Sequence, residues 1–284
     1  MMFRPRLPHL MLPGLVFAAT WALAAGPMSA PAPQGSVAAG PRASKVLGSP
    51  GPLGPSSVGA QSRAQSLYQV PYNGYFTFTR VRYGGGGGFR GFGRSSAWNH
   101  DYPYADRNIQ FILDEFTHLR TNTEGTNVLD LEDPRIFQYP ILYMSEPGYW
   151  SATEEGAANL REFLLKGGFL IFDDFELQQW DNMAAQMRKA VPEYVWFELD
   201  PSHPIFRTHW VVEDIYIPHP LVRVVPNYQA MYEDNDPMKR MMVLANHNSD
   251  LAEYWEFPEG RFGLDPTNAA YQLGVNYLIY AMMR

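Results

Sequence analysis

Three carboxylates, Asp173, Asp174 and Glu176, follow the apolar run Phe169–Phe172. Such a run is typical of a strand buried on both faces of a parallel sheet, and ligands bind beyond the carboxyl ends of such strands. Paired carboxylates there could bind a divalent cation or act as general acid and base. The alternative is that one aspartate caps the next helix. Asp173, Asp174 and Glu176 are therefore candidate catalytic residues, and Asp173 and Asp174 are candidate metal ligands.

Other polar and aromatic residues lie at the ends of further predicted strands or directly after them. A parallel sheet would bring these residues, and His100, to the edge at which Asp173 and Asp174 lie. Aromatic rings combined with carboxylates and arginines suit a sugar or a peptide. Ordinary packing of amphipathic rings against loops is the alternative explanation. The candidate ligand-binding residues are Arg80, Arg82, Trp98, Asp101, Tyr102, Ser145, Glu146 and Tyr149.

Histidine is a further candidate, because an imidazole could join the carboxylates in a metal site. His203 lies between Pro201 and Pro204 in a predicted rigid turn, and His247 follows a predicted strand with Asp250 close by. No HxH or HxxxH spacing occurs in the chain, so a zinc site has little local support. A single histidine in a turn more often forms a structural hydrogen bond, and only His203 is kept as a candidate catalytic residue.

The glycine-rich stretch 84–95 contains formal matches to a dinucleotide fingerprint and to a P-loop with arginine in place of lysine. A run of five glycines produces such matches by chance, and no helix is predicted directly after it. We interpret the stretch as a mobile flap over the strand ends and expect no cofactor. The chain also lacks the G-x-S-x-G elbow of serine hydrolases.

The elements that must position these residues alternate along the chain. Apolar and aromatic runs predict strands, and amphipathic periodicity with a cap, such as Ser151 or Thr153, predicts helices. Strands are predicted at Tyr75–Tyr83, Asn127–Leu131, Pro140–Met144, Phe169–Phe172, Val195–Leu199 and Met241–Ala245, and helices at Tyr104–Leu119, Thr153–Lys166, Leu177–Lys189 and Pro266–Met283. This alternation indicates the α/β class, with a mostly parallel central sheet between two layers of helices.

The first 66 residues are not expected to be globular. Arg4 and Arg6 precede the apolar stretch Leu10–Ala25, and Ala22-Leu23-Ala24 forms a small-x-small cleavage pattern, so residues 1–25 are predicted to be a secretory signal peptide. An uncleaved anchor is the weaker alternative, because the stretch is short. Residues 26–66 are rich in Ala, Gly, Pro and Ser and are predicted to be a disordered linker. Residues 67–284 then form the α/β domain.

The composition limits the cellular compartments and the classes of partner that fit this chain. The chain has no cysteine and a formal net charge of −7. An exported protein without disulfides fits a periplasmic or secreted bacterial location, and an acidic chain without a basic cluster argues against nucleic acids as partners. No direct membrane span is expected in the mature chain. The expected partners are another envelope or membrane-complex protein, a glycan or a peptide.

Six stretches together resemble the domain-of-unknown-function 4159 family. They are FTFTRVRY before the glycine-rich stretch, WNHDYPYADRN, FQYPILYMSEPG, LREFLLKGGFLIFDDFE, ELDPSHPIF and LGVNYLIYAM. The resemblance implies a flavodoxin-like three-layer fold similar to class I glutamine amidotransferases and trehalose-utilisation proteins, and it implies no established activity. Glutamine amidotransferases need a cysteine nucleophile, which this chain lacks. That chemistry is excluded.

Two functional hypotheses remain. The first is an exported, non-catalytic amidotransferase-like domain that binds a ligand or a protein, or serves as an accessory subunit, in the bacterial envelope. The alternative is a hydrolase acting on envelope glycans or peptides, with Asp173 and Asp174 as acid and base or as metal ligands. Because no recognised catalytic motif occurs, the sequence favours the first.

Overall fold

The computed structural model describes residues 69–84 and 97–283. The predicted signal peptide, the predicted linker and most of the glycine-rich stretch lie outside the described residues.

The strands form a mixed sheet in the order β2-β1-β3-β4-β7-β6-β5. Neighbours from β2 to β7 pair in parallel, whereas β6 and β5 are added antiparallel at one edge. The order of the parallel part is that of the flavodoxin-like fold. The strands are β1 Thr79–Arg82, β2 Asn127–Asp130, β3 Ile141–Ser145, β4 Phe169–Phe175, β5 Phe197–Glu198, β6 Asn227–Tyr232 and β7 Met241–His247.

Helices cover both faces of the sheet, which confirms the predicted α/β class and three-layer arrangement. They are α1 Tyr104–Phe116, α2 Glu154–Leu165, α3 Gln179–Ala190, α4 Leu251–Glu256 and α5 Leu264–Met282. Side chains alternate across β3: Ile141 and Tyr143 pack with α1, α4 and α5, whereas Leu142 and Met144 pack with α2 and α3. Within the described ranges, no helix combines the length and the apolar character needed to cross a bilayer.

The main differences from the predicted elements lie near the carboxyl ends of the strands. Strand β4 does not end at Phe172 but continues to Phe175, with a register shift against β7 between these two residues. The structure adds β6 and α4, which no pattern in the sequence predicted. Strand β1 is shorter than predicted, because Phe76 forms only an isolated bridge to Thr121.

Candidate functional site

The carboxyl ends of the parallel strands hold seven acidic and imidazole side chains, which we call the acidic cluster. Its members form three overlapping groups of three, which share His100 or Asp174, and within each group the potential ligand atoms lie within 4.8 Å of one another. The acidic cluster consists of His100, Asp101, Glu146, Asp174, His219, Asp250 and Glu253.

Asp173 ends the regular part of β4 and is a structural residue. Its side chain is fully buried, and its carboxylate accepts hydrogen bonds from Tyr143 Oη at 2.9 Å and Asn246 Nδ2 at 3.1 Å. It also accepts the backbone N–H groups of Leu251 and Ala252, at 3.0 and 3.1 Å. The carboxylate thus holds the first turn of α4 against the sheet. The capping alternative named the next helix instead, and α3 begins without a side-chain cap. Burial, assisted by a neighbouring carboxylate, raises the pKa of Asp173 to about 7.

Asp174 has a different environment, although it is the next residue. Its φ of 58° lies in the left-handed region, which is uncommon for a residue other than glycine. Its backbone N–H donates to the carbonyl of Ser249 at 3.0 Å. This local turn directs the carboxylate into the acidic cluster, where it accepts a hydrogen bond from Ser145 Oγ at 3.1 Å and lies 2.7 Å from His100 Nδ1.

The imidazole of His100 lies at the centre of the acidic cluster. Besides Asp174, its Nδ1 faces Glu146 Oε1 at 3.5 Å and Asp101 Oδ2 at 3.7 Å, and its Nε2 lies 4.0 Å from Glu253 Oε2. The hydrogen bond with Asp174 raises the pKa of His100 to about 10, against the opposing effect of burial. The side chain is 41% exposed, so this part of the acidic cluster can be reached from solvent.

Arg80 fixes the backbone that carries His100. The guanidinium forms a fully buried ion pair with Asp106, with Nη2 2.5 Å from Oδ1. Its Nη1 donates to the carbonyls of Trp98 and His100 at 3.0 and 2.8 Å. The structure therefore places Arg80, a predicted ligand-binding residue, in a positioning role behind the acidic cluster.

Several buried polar atoms of the acidic cluster have no hydrogen-bond partner in the described part of the chain. They are both carboxylate oxygens of Asp101, Oδ2 of Asp250 and Nε2 of His219. The exposed fractions of these residues are 5%, 2% and 9%. Burial, followed by repulsion from Asp174, raises the pKa of Asp101 to about 9 and that of Asp250 well above its usual range. The acidic cluster therefore contains buried carboxylate oxygens that no hydrogen-bond donor within it satisfies.

Glu146 closes the acidic cluster at the end of β3. It has a positive φ of 47°, and its backbone N–H donates to the carbonyl of Asp173 at 3.1 Å. Burial, followed by repulsion from Asp174, raises the pKa of Glu146 to about 7. Tyr83 Oη lies 2.6 Å from the backbone carbonyl of Glu146 and donates toward it, which fixes this turn.

His219 comes from the irregular segment between β5 and β6. Its Nδ1 accepts the backbone N–H groups of Leu221 and Val222, both at 3.2 Å. The neutral ring therefore carries its proton on Nε2. Burial lowers the pKa of His219, which favours this neutral form.

The structure brings together Asp101, Ser145, Glu146 and Asp174 from the predicted residues, and it places others at the margin of the acidic cluster. Trp98 is buried and supplies the carbonyl that Arg80 binds; Tyr102 packs against Trp98 with ring centroids 6.0 Å apart. Tyr149 is 47% exposed. Glu176 is half-buried and accepts a hydrogen bond from Gln179 Nε2 at 3.0 Å.

Three predicted or considered residues have other surroundings. Arg82 forms an ion pair with Asp130 and lines a separate cavity of about 290 Å³. The Nδ1 atom of His203 accepts the N–H of Ile205 at the start of a short 3₁₀ helix. The ring of His247 packs against Phe175. The catalytic role of His203 and the binding role of Arg82 remain predictions without support from these contacts.

Sequence reasoning missed His219 and Glu253 and noted Asp250 only as a neighbour of His247. Asp250 caps α4 by accepting the N–H of Glu253 at 3.0 Å. Helix α4 has six residues and is too short to show amphipathic periodicity. The one usable signal of its start was an acidic residue, Asp250, three positions before Glu253. His219 carries no local signal, because packing of distant segments alone brings it to the strand ends.

A comparison with curated proteins finds no match. A family model described as "Domain of unknown function (DUF4159)" matches residues 77–282. The match begins just before β1, ends at the last residue of α5 and includes every member of the acidic cluster. The chain therefore belongs to the DUF4159 family.

Proposed function

We propose that this chain is an exported, non-catalytic ligand-binding domain of the bacterial envelope, and that its acidic cluster binds a positively charged group. The observation that carries the proposal is the Asp101 carboxyl group, which is 5% exposed and accepts no hydrogen bond within the described residues. A buried carboxylate without donors is costly unless a cation or a proton compensates it. In the free protein a proton compensates it, because the pKa of Asp101 is raised to about 9, and a bound cation would take the place of that proton.

The exposure of the outer members of the acidic cluster supports binding from solvent. His100 and Glu146 are only partly buried, with side chains 41% and 23% exposed. Tyr149, 47% exposed, follows Glu146 in the same turn and offers a ring face that could attract a cation. Amino sugars, lysine- or arginine-containing segments of another envelope protein, and metal ions all carry the required charge.

Matched cationic and neutral probes test this proposal. We would measure the thermal unfolding midpoint of the chelator-treated protein with a lysine tripeptide, its acetyl-lysine counterpart, a chitosan trimer, its N-acetylated counterpart, and divalent cations. The charged members should raise the midpoint, and the Asp101→Asn variant should lose the response. Asp133→Asn is the control, because Asp133 pairs with Arg135 on the surface. An equal response of wild type and Asp101→Asn to every cationic probe would contradict the proposal.

Export is tested separately. Fractionation of the native bacterium, followed by mass measurement of the protein, should find it outside the cytoplasm with an N-terminus close to residue 26. A cytoplasmic protein that retains Met1 would contradict this part of the proposal and leave the binding test unaffected.

A hydrolase is the second candidate, favoured by the 2.7 Å contact between His100 Nδ1 and Asp174 Oδ2. An imidazole held by a carboxylate at a solvent-accessible edge can transfer protons. Incubation with envelope glycans and peptides, with products read by mass spectrometry, tests it. Activity that His100→Gln abolishes without unfolding the protein would favour the hydrolase over the binding domain.

A further inference from the structure

We propose that the cation bound by the acidic cluster is a divalent metal ion held by His100 Nδ1 and the carboxylates of Asp101, Glu146 and Asp174. This inference rests on the proposed function of the same cluster. The inference adds that the ligand is a divalent metal ion, and it names the protein atoms that would bind the ion.

His100, Glu146 and Asp174 form one group whose potential ligand atoms lie within 4.8 Å of one another, and Asp101 joins His100 in a second such group, with Glu253. From His100 Nδ1, the nearest oxygens of Asp174, Glu146 and Asp101 lie at 2.7, 3.5 and 3.7 Å. A metal ion with ligands at about 2.0–2.2 Å places neighbouring ligand atoms roughly 3–3.5 Å from one another. His100, Glu146 and Asp174 are therefore close to the spacing that one ion requires, and the Asp101 carboxylate must rotate toward Glu146 and Asp174 to join them.

The lack of hydrogen bonds to Asp101 is an observation that supports the metal site independently of the distances. The carboxylate of the nearby Asp173 is equally buried, yet it accepts four hydrogen bonds. Asp101 has none within the described residues, although its Oδ2 faces His100 Nδ1. A carboxylate that only stabilises the fold resembles Asp173, whereas a metal ligand keeps its lone pairs free for the ion.

The hydrogen bonds of the two imidazoles distinguish His100 from His219. An ion that binds His100 Nδ1 displaces the proton through which this nitrogen meets Asp174, and this proton is released to solvent. The remaining proton lies on Nε2, which faces Glu253 Oε2 at 4.0 Å. A carboxylate behind a metal-bound histidine is the usual outer partner. In His219, Nδ1 accepts two backbone N–H groups, so the proton on Nε2 occupies the nitrogen that would bind an ion. The group of His100, Asp174 and Glu146 is therefore the better metal site.

The surrounding contacts support a preformed site. Arg80 holds the carbonyl of His100 at 2.8 Å, and Ser145 Oγ donates to Asp174 at 3.1 Å. One nitrogen and three carboxylates form a mixed donor set. Such sets suit Mn²⁺, Fe²⁺ or Zn²⁺ better than Mg²⁺, which prefers oxygen ligands and retains its water.

Isothermal titration of the purified, chelator-treated protein with Zn²⁺ and Mn²⁺ tests the inference, with Mg²⁺ for comparison. We expect one ion per chain, with at least tenfold weaker binding in His100→Gln and in Asp174→Asn, and weaker binding of Mg²⁺ than of Zn²⁺ or Mn²⁺. Asp133→Asn should bind as wild type does. Should a ligand variant fail to fold, pulsed electron paramagnetic resonance of the Mn²⁺-loaded wild type should still detect one coordinated imidazole nitrogen.

The results separate this inference from the proposed function. Unchanged metal affinity in folded His100→Gln, or an Mn²⁺ signal without imidazole, overturns the metal site. If no metal binds while the lysine tripeptide still stabilises wild type and not Asp101→Asn, the metal inference fails and the proposed function stands. If neither a metal nor an amine binds, both fail.

Discussion

Asp173 and Asp174 are consecutive residues, but the number of donors around each carboxylate gives them different roles. Asp173 is fully buried and accepts four hydrogen bonds from β3, β7 and α4. Asp174 turns into the acidic cluster through a left-handed backbone conformation and meets His100. The first therefore stabilises the fold, and the second is available to a ligand. Residue type alone could not separate them.

Replacing Asp101 with asparagine should stabilise the metal-free protein. The wild-type carboxyl group is buried without a donor in the described residues, so a neutral amide of similar size removes an electrostatic cost of about 1–3 kcal/mol. Urea denaturation at neutral pH with chelator measures the change. The control Asp133→Asn, which weakens a partly exposed ion pair with Arg135, should shift the free energy of unfolding by less than about 1 kcal/mol. A loss of stability in Asp101→Asn would indicate that the carboxylate has a donor after all.

At the scale of elements, β1 carries two arginines whose ion pairs differ in burial. Removing one partner of the buried Arg80–Asp106 pair leaves an uncompensated charge, so Arg80→Met should cost about 3–5 kcal/mol. The Arg82–Asp130 pair has side chains that are 30% and 40% exposed, so Arg82→Met should cost less than about 1 kcal/mol. Urea denaturation of the two variants checks this. Equal stability of both would contradict the positioning role of Arg80.

The predicted elements were correct where local patterns determine them. Thr153, one of the two predicted caps, caps α2 through the N–H of Gly156 at 2.9 Å. Apolar runs located β3 and the first part of β4, because both strands are buried on both faces. The continuation of β4 through Asp173 and Asp174 was missed, because tertiary hydrogen bonds rather than apolar character hold these residues in the strand.

Helix α5 approaches its neighbours closely at Gly274. A Cβ atom there would lie 2.6 Å from Trp255 and 2.9 Å from Ile109. Gly274→Ala should gain up to about 1 kcal/mol in helix propensity but lose about 1–3 kcal/mol through overpacking, giving net destabilisation. Chemical denaturation measures the change in the free energy of unfolding. The control is Gln272→Ala on the same helix, which should change stability by less than about 0.5 kcal/mol. A more stable Gly274→Ala would show that the helices can move apart freely.

At the scale of the whole molecule, the parallel sheet creates the site by gathering distant segments at one edge. His100 follows β1, Glu146 follows β3, Asp174 lies at the end of β4, and Glu253 lies on α4 after β7. The α/β class predicted this edge and therefore the meeting of Asp101, Glu146 and Asp174. It could not predict His219, since an irregular connection of no recognisable pattern delivers that ring to the acidic cluster.

Because the proposed metal ligands come from β1, β3 and β4 and their following turns, an ion bound among them should stabilise the whole domain. An ion present at about 100 times its dissociation constant contributes about 2.7 kcal/mol if it binds only the folded state. For a domain of this size, each kcal/mol raises the unfolding midpoint by about 2–4 °C, so Zn²⁺ or Mn²⁺ should raise it by roughly 5–10 °C. Calorimetry with and without chelator measures the shift, and His100→Gln should show almost none. A shift of equal size in His100→Gln would mean that the ion binds elsewhere on the acidic surface, because only a site that includes the imidazole depends on residue 100.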